Sequence, residues 1–162
     1  MLGMPWIGVN GPPSKCNLLA RRAEMDRIPT YDALIKRGVA IDEGLCVFCK
    51  SEVESVEHIF TSCWFSSVLW LKRPIGDSQS GAYQIRGETG CPRYHHRFIV
   101  SCWCWCWCWC LWMARNRAVF SSKEAMVDDV FSEVKSLGFL WFKHRTRINH
   151  ISWLDWCNFN ML

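Results

Sequence analysis

Four residues in the first half of the chain have the types and spacing of a metal site: Cys46, Cys49, His58 and Cys63, in the order C-x2-C-x8-H-x4-C. Two cysteines two residues apart can grip a metal from one tight turn. A histidine and a cysteine at the two ends of a short helix can then complete a tetrahedron. Three thiolates and one imidazole make a closed set for one structural Zn2+, with no position left for an activating water. Two other readings compete with zinc. Cys46 and Cys49 alone could be a redox pair, although such pairs accompany a βαβ pattern that this sequence lacks. All four could also be ordinary core residues, since free cysteine is commonly buried. The joint spacing favours the metal.

No other constellation points to catalysis. There is no glycine-rich phosphate loop, no nucleophile elbow and no pair of acidic residues spaced to hold two catalytic metal ions. The expectation is that the chain has no catalytic residue and is not an enzyme. His95 and His96 stand beside Cys91 but lack a fourth ligand, while His144 and His150 fall in a basic stretch and read as solvated.

Helices must position the four ligands, and the expected fold class is mainly α. The pattern SKCNLLARRAEMDRI predicts a helix over 14–28 with Leu18, Leu19, Met25 and Ile28 inward and Arg21 and Arg22 in water. Pro29 ends it. Thr30 is the N-cap of a short second helix with Leu34 and Ile35 inward, Lys36 and Arg37 in its last turn and Gly38 as its stop. Ser55 caps a third, which places Val56, Ile59 and Phe60 beside His58. The composition divides the chain into a loop at 1–12, a zinc-stapled helical domain at 13–71 and a Gly/Ser/Pro-rich linker at 72–94. A helical tail follows at 95–147, then an aromatic segment without a clear period at 148–162. Within the tail, Val127, Val130, Phe131, Val134, Leu137 and Leu140 recur at helical spacing.

The tail contains the run CWCWCWCWC, Cys102 to Cys110. As a strand it would put four tryptophans on one face and five thiols on the other. As a helix it would mix them. Repeated C-x-C could bind a soft metal. The 17 uncharged residues from Phe98 to Ala114 are at the lower limit for a membrane span, and tryptophan prefers the interface to the middle. The favoured reading is a simple repeat that has replaced an ordinary apolar helix; exposed, it would be an aggregation hazard.

A net charge of +4 permits contact with a polyanion without indicating one. Around the metal the surface reads as acidic, with Asp42, Glu43, Glu52, Glu54 and Glu57 against Lys50. Such a surface would repel phosphate, so any grip on nucleic acid falls to Arg21, Arg22, Lys36 and Arg37 on the flanking helices. The start of the chain lacks a charged n-region and an apolar run, so the eleven cysteines are read as reduced thiols of an intracellular protein, in the nucleus or cytoplasm.

The stretch from about Pro13 to Trp70 resembles the zinc-binding domain that follows the reverse transcriptase in plant LINE-type (non-LTR) retrotransposons. The motifs that carry the resemblance are P-x-K-x-N, R-A-x-x-D-R-I-P-T, K-R-G, C-x2-C, V-E-H-I-F with the following cysteine, and V-x-W. WMARNRAVF, EVKSLGFLWFKHR and ISWLDWCNF also resemble the tail beyond that domain. The family usually has a tryptophan where this chain has Arg21, and the segment between Trp70 and Trp112 looks shortened and rewritten. The resemblance implies an accessory module with Cys46, Cys49, His58 and Cys63 as zinc ligands. It implies RNA or DNA as partner, and a reverse transcriptase in cis or in trans. No Y-x-D-D-like motif occurs, so the expectation is a piece of a retroelement polyprotein without its polymerase. The opposing reading is a structural or protein-interaction remnant of a degenerate element.

Overall fold

The computed structural model describes residues 13–41, 44–72, 92–145 and 151–158, with side chains for residues 104–144 in the third of these segments. The expected N-terminal loop, most of the linker, the acidic pair Asp42 and Glu43, Cys91, His150 and the side chains of His95 and His96 lie outside that description. Among the described residues the fold is helical, and its one extended pairing is an isolated antiparallel bridge between Leu45 and Val53.

Helix α1, Ser14–Glu24, starts on the Pro13 carbonyl, which accepts from the Cys16 and Asn17 amides at 2.9 and 3.2 Å. It stops four residues earlier than its apolar pattern suggests. Asp26 turns left-handed (φ 51°), and the Arg27 amide bonds back to the Arg22 carbonyl at 2.6 Å. The inward face is therefore Cys16 and Leu19, with Ile28 reaching the core from the loop beyond. Leu18 and Met25, expected inside, are exposed: seven residues apart, they lie on one side of the helix, and the side that turns inward carries Cys16 and Leu19. Helix α2, Tyr31–Lys36, is capped as its sequence dictates: the Thr30 hydroxyl accepts from the Ala33 amide, and Gly38 takes φ +80° after the last turn. Its single buried residue is Ala33, and Ile35 faces out, contrary to expectation.

After the metal-binding segment comes α3, Trp64–Leu71, which buries Phe65, Ser66 and Leu69. The 30-residue α4, Pro92–Ser121, then turns through Ser122 (φ 49°) into α5, Val127–Arg145, which packs back along it. Val130 and Val134 of α5 enter the core as their spacing predicts, while Leu140 is exposed. The aromatic end of the chain has more order than its lack of period suggested. Ser152 and Asp155 form a reciprocal capping box that starts α6, Trp153–Cys157. Trp156 is fully buried against Phe139 and Phe142, and its indole donates to the Lys135 carbonyl at 2.9 Å.

The Cys–Trp repeat lies within α4, and the helix resolves its alternation. Residues two apart are about 200° apart around an α-helix, so a strict alternation becomes two stripes of each residue type. One sector, Cys106, Trp107, Cys110, Leu111 and Ala114, is the i, i+1, i+4, i+5, i+8 face of an amphipathic helix and is buried. Trp107 stacks on Trp70 with ring centroids 5.2 Å apart and touches Phe131. The core built on this face also contains Cys46, Cys63, Phe65 and Leu69, so it is continuous with the metal-binding segment. A second cluster joins Leu19, Ile28 and Ile59 to Trp112. Among the described residues no helix is long and apolar enough to cross a membrane.

Candidate metal centre

A tight hairpin presents the first two ligands. The Leu45–Val53 bridge closes it, the Cys46 amide donates to the Glu52 carbonyl at 2.8 Å, and the Lys50 amide donates back to the Cys46 carbonyl at 2.8 Å. Lys50 adopts φ 53°, which bends the chain just after Cys49. Both thiols thus point from one turn toward one spot.

The other two ligands come from a widened turn. The Ser55 hydroxyl accepts from the His58 amide at 3.0 Å, the cap predicted for it, and a π-helical turn runs through His58–Ser62. In an α-helix, residues five apart are about 140° out of phase. The Cys63 amide instead bonds the His58 carbonyl at 2.8 Å, an i to i+5 closure that stacks the two ligands on one side. The turn is held from behind: the Ser66 hydroxyl donates to the Ile59 carbonyl, and the Trp70 indole donates to the Phe60 carbonyl at 2.7 Å.

The four ligand atoms all lie within 4.8 Å of one another. The Cys46 and Cys63 sulfurs are 3.9 Å apart, and the Cys49 sulfur is 3.2 Å from His58 Nε2. Zinc–sulfur bonds of about 2.3 Å in a tetrahedron require sulfurs about 3.8 Å apart, so the donors match zinc in type and in spacing. Cys46 and Cys63 are fully buried, as is most of His58. On the far side of the ring, His58 Nδ1 lies 3.1 Å from a carboxylate oxygen of Glu52. The two groups are close without forming a hydrogen bond, so Nδ1 is a buried nitrogen without a hydrogen-bond partner among the described residues, while Nε2 faces the thiols. The sequence reading places Glu52 only in the acidic surround; the structure adds this proximity to the His58 ring.

The thiols differ in their readiness to ionise. Burial pushes Cys46 up to about 12, and burial also raises Cys63. At Cys49 burial acts the same way, but the Ser51 and Glu52 amides and the His58 side chain outweigh it and bring the thiol down to about 7. Near neutral pH, zinc must therefore displace protons from Cys46 and Cys63, while Cys49 gives up its proton most readily of the three.

The acidic surround is smaller than the sequence suggests. Glu52 and Glu57 are exposed near the metal, but Glu54 is fully buried and paired with Arg115, so it adds nothing to the surface field. The basic candidates Arg21, Arg22, Lys36 and Arg37 are all exposed. Lys36 is already engaged, with its ammonium 2.7 Å from Asp32 and 3.2 Å from Asp26, and these bonds raise its pKa. Arg37 donates to the Asp26 backbone carbonyl at 3.4 Å.

A closed Cys3His centre stapling a hairpin to a helical turn makes this a small structural-zinc domain with one ion. Residues 4–70 match the model of a family described as zinc-binding in reverse transcriptase. That stretch is thus similar to a reverse transcriptase zinc-binding domain, and the match contains all four candidate ligands. No curated protein and no solved structure matches the chain significantly.

Proposed function

We propose that this chain is a retroelement-derived accessory module that holds RNA or DNA for a reverse transcriptase, in cis or in trans, and performs no polymerisation itself. The observation that carries the reading is the match of residues 4–70 to a domain that serves reverse transcriptases by binding zinc rather than by catalysis. The proposed origin is a plant LINE-type element and the proposed compartment the nucleus or cytoplasm. Residues 13–71 act as the zinc-binding domain, and 95–147 as the helical tail. Cys46, Cys49, His58 and Cys63 ligate the ion, which holds the fold and does no chemistry. Arg21, Arg22 and Arg37 supply the phosphate contacts from α1 and the end of α2. Lys36 contributes least, because it must exchange Asp26 and Asp32 for phosphate.

The test is binding of single-stranded RNA and DNA by the full chain across a salt series. Replacing Arg21, Arg22 and Arg37 together by alanine should flatten the log–log salt slope by about 2, because each phosphate contact on a single strand contributes about 0.7. Absent or salt-insensitive binding would overturn the nucleic-acid reading, and template-dependent nucleotide incorporation by the purified chain would overturn the accessory one. The second reading, a structural or protein-interaction remnant, draws support from the exposed Glu52 and Glu57 and from the aspartates that already occupy Lys36. It requires the first of those outcomes.

A further inference from the structure

Glu54 is a carboxylate with no access to water, and its contacts tie its own hairpin to α2 and α4. Its backbone amide donates to the Gly44 carbonyl at 2.9 Å inside the hairpin, and its own carbonyl accepts from the Asp32 amide at 3.0 Å. Its Oε1 accepts from the Tyr31 amide at 3.2 Å, at the start of α2. Arg115, 61 residues away on α4, donates Nε to both carboxylate oxygens at 3.1 and 3.2 Å and Nη2 to Oε1 at 2.6 Å. The guanidinium is 1% exposed and flanked by the rings of Tyr31 and Trp112, with centroids 5.2 and 5.1 Å away. Its Nη1 donates to Asn116 at 3.2 Å. A forked, charge-assisted pair of this kind fixes orientation as well as proximity.

The position of this pair matters for the metal. Val53, next to Glu54, forms the hairpin bridge with Leu45, and Leu45 precedes the ligand Cys46. The residue that Arg115 holds is thus one step from the pairing that aims the first thiol. We infer that Arg115 is a positioning residue of the zinc site, and that the unit which binds the metal extends to α4, well past the family match that stops at residue 70. Without Arg115, the buried Glu54 charge has no counter-ion and is driven toward water, which pulls Val53 and the hairpin with it. By reciprocity, a hairpin closed on zinc holds Glu54 in place and tightens the docking of α4.

Cobalt(II) replaces zinc and reports on the site through its thiolate and d–d absorption bands, so the test is a cobalt titration of the full chain. Arg115→Met should weaken cobalt binding about 10- to 100-fold, the range for loss of a group that supports metal ligands. Glu54→Gln/Arg115→Met, which removes the orphan charge and keeps an acceptor for the Tyr31 amide, should recover most of that loss. Val134→Ala, a cavity variant on α5, destabilises the fold while leaving the Glu54–Arg115 pair intact and should retain more affinity than Arg115→Met. Unchanged affinity in Arg115→Met, no recovery in the double variant, or an equal loss in Val134→Ala overturns the inference. Should Arg115→Met fail to fold, hydrogen exchange on the unaltered chain decides. Zinc removal should lower amide protection around Trp112–Asn116, and unchanged protection there overturns the coupling.

Discussion

At the hairpin, Cys46, Cys49 and Cys63 converge with His58 within 4.8 Å, whereas on α4 Cys106 and Cys110 stand one turn apart and face an apolar core. The residue type is the same and the local density of cysteine is higher on α4. Backbone geometry makes the difference. A bridge, a left-handed Lys50 and a π turn point four donors at one spot, while a continuous helix spreads its thiols over opposite sectors. Ionisation follows this geometry at Cys49, which amides and His58 draw down to about 7 despite burial. Cys46 and Cys63 are raised by burial, Cys46 to about 12 like Cys108 and Cys110, and need the metal to lose their protons. A thiol held protonated in a core is a small apolar group. One region is thus held by a metal and the other by packing.

The sharpest way to break that contrast is at the metal. His58→Ala should reduce bound zinc from one ion to none, because a structural site contributes on the order of 10 kcal/mol and needs its full ligand set. Metal analysis after dialysis checks it, and a retained stoichiometric ion would remove His58 from the site. On the packing side, Trp107→Ala should cost about 3–5 kcal/mol in denaturant unfolding and leave one zinc bound at saturating metal. Loss of the ion in that variant would mean that the two regions are not held by different forces. The smallest effect is at Gly138, where an added Cβ would lie 2.9 Å from the buried Trp156 ring. Gly138→Ala gains about 1 kcal/mol of helix preference but meets a ring that cannot give way, at a cost of about 1–3 kcal/mol. A lower melting temperature is expected. A higher one would show that α6 rests loosely on α5.

The sequence was most informative where chemistry is local. The quartet of ligands, the Thr30 and Ser55 caps and the Val130/Val134 face are all written in short spacings, and the structure places them accordingly. Phase errors arose where a helix ended early. The pattern over 14–28 is continuous, but Asp26 breaks it and delivers Ile28 from a loop, while Leu18 and Met25 share the outer side of the helix. Of the buried pair, Arg115 had a weak sequence signal in the apolar W-M-A that precedes it, whereas Glu54 stands in the polar S-E-V-E-S-V and had none. Nothing local could say that they meet across 61 positions. The capping box at Ser152 and Asp155 was legible in S-W-L-D, but the aromatic composition around it obscured the signal.

The π turn also sets what variation this site can absorb. Because one closure spans His58 to Cys63, the four residues between them act as a spacer measured in backbone steps. Thr61 and Ser62 face solvent and can change freely, yet inserting or deleting a single residue there would rotate Cys63 out of the cluster. Drift in this stretch should therefore proceed by replacement and almost never by a change of length.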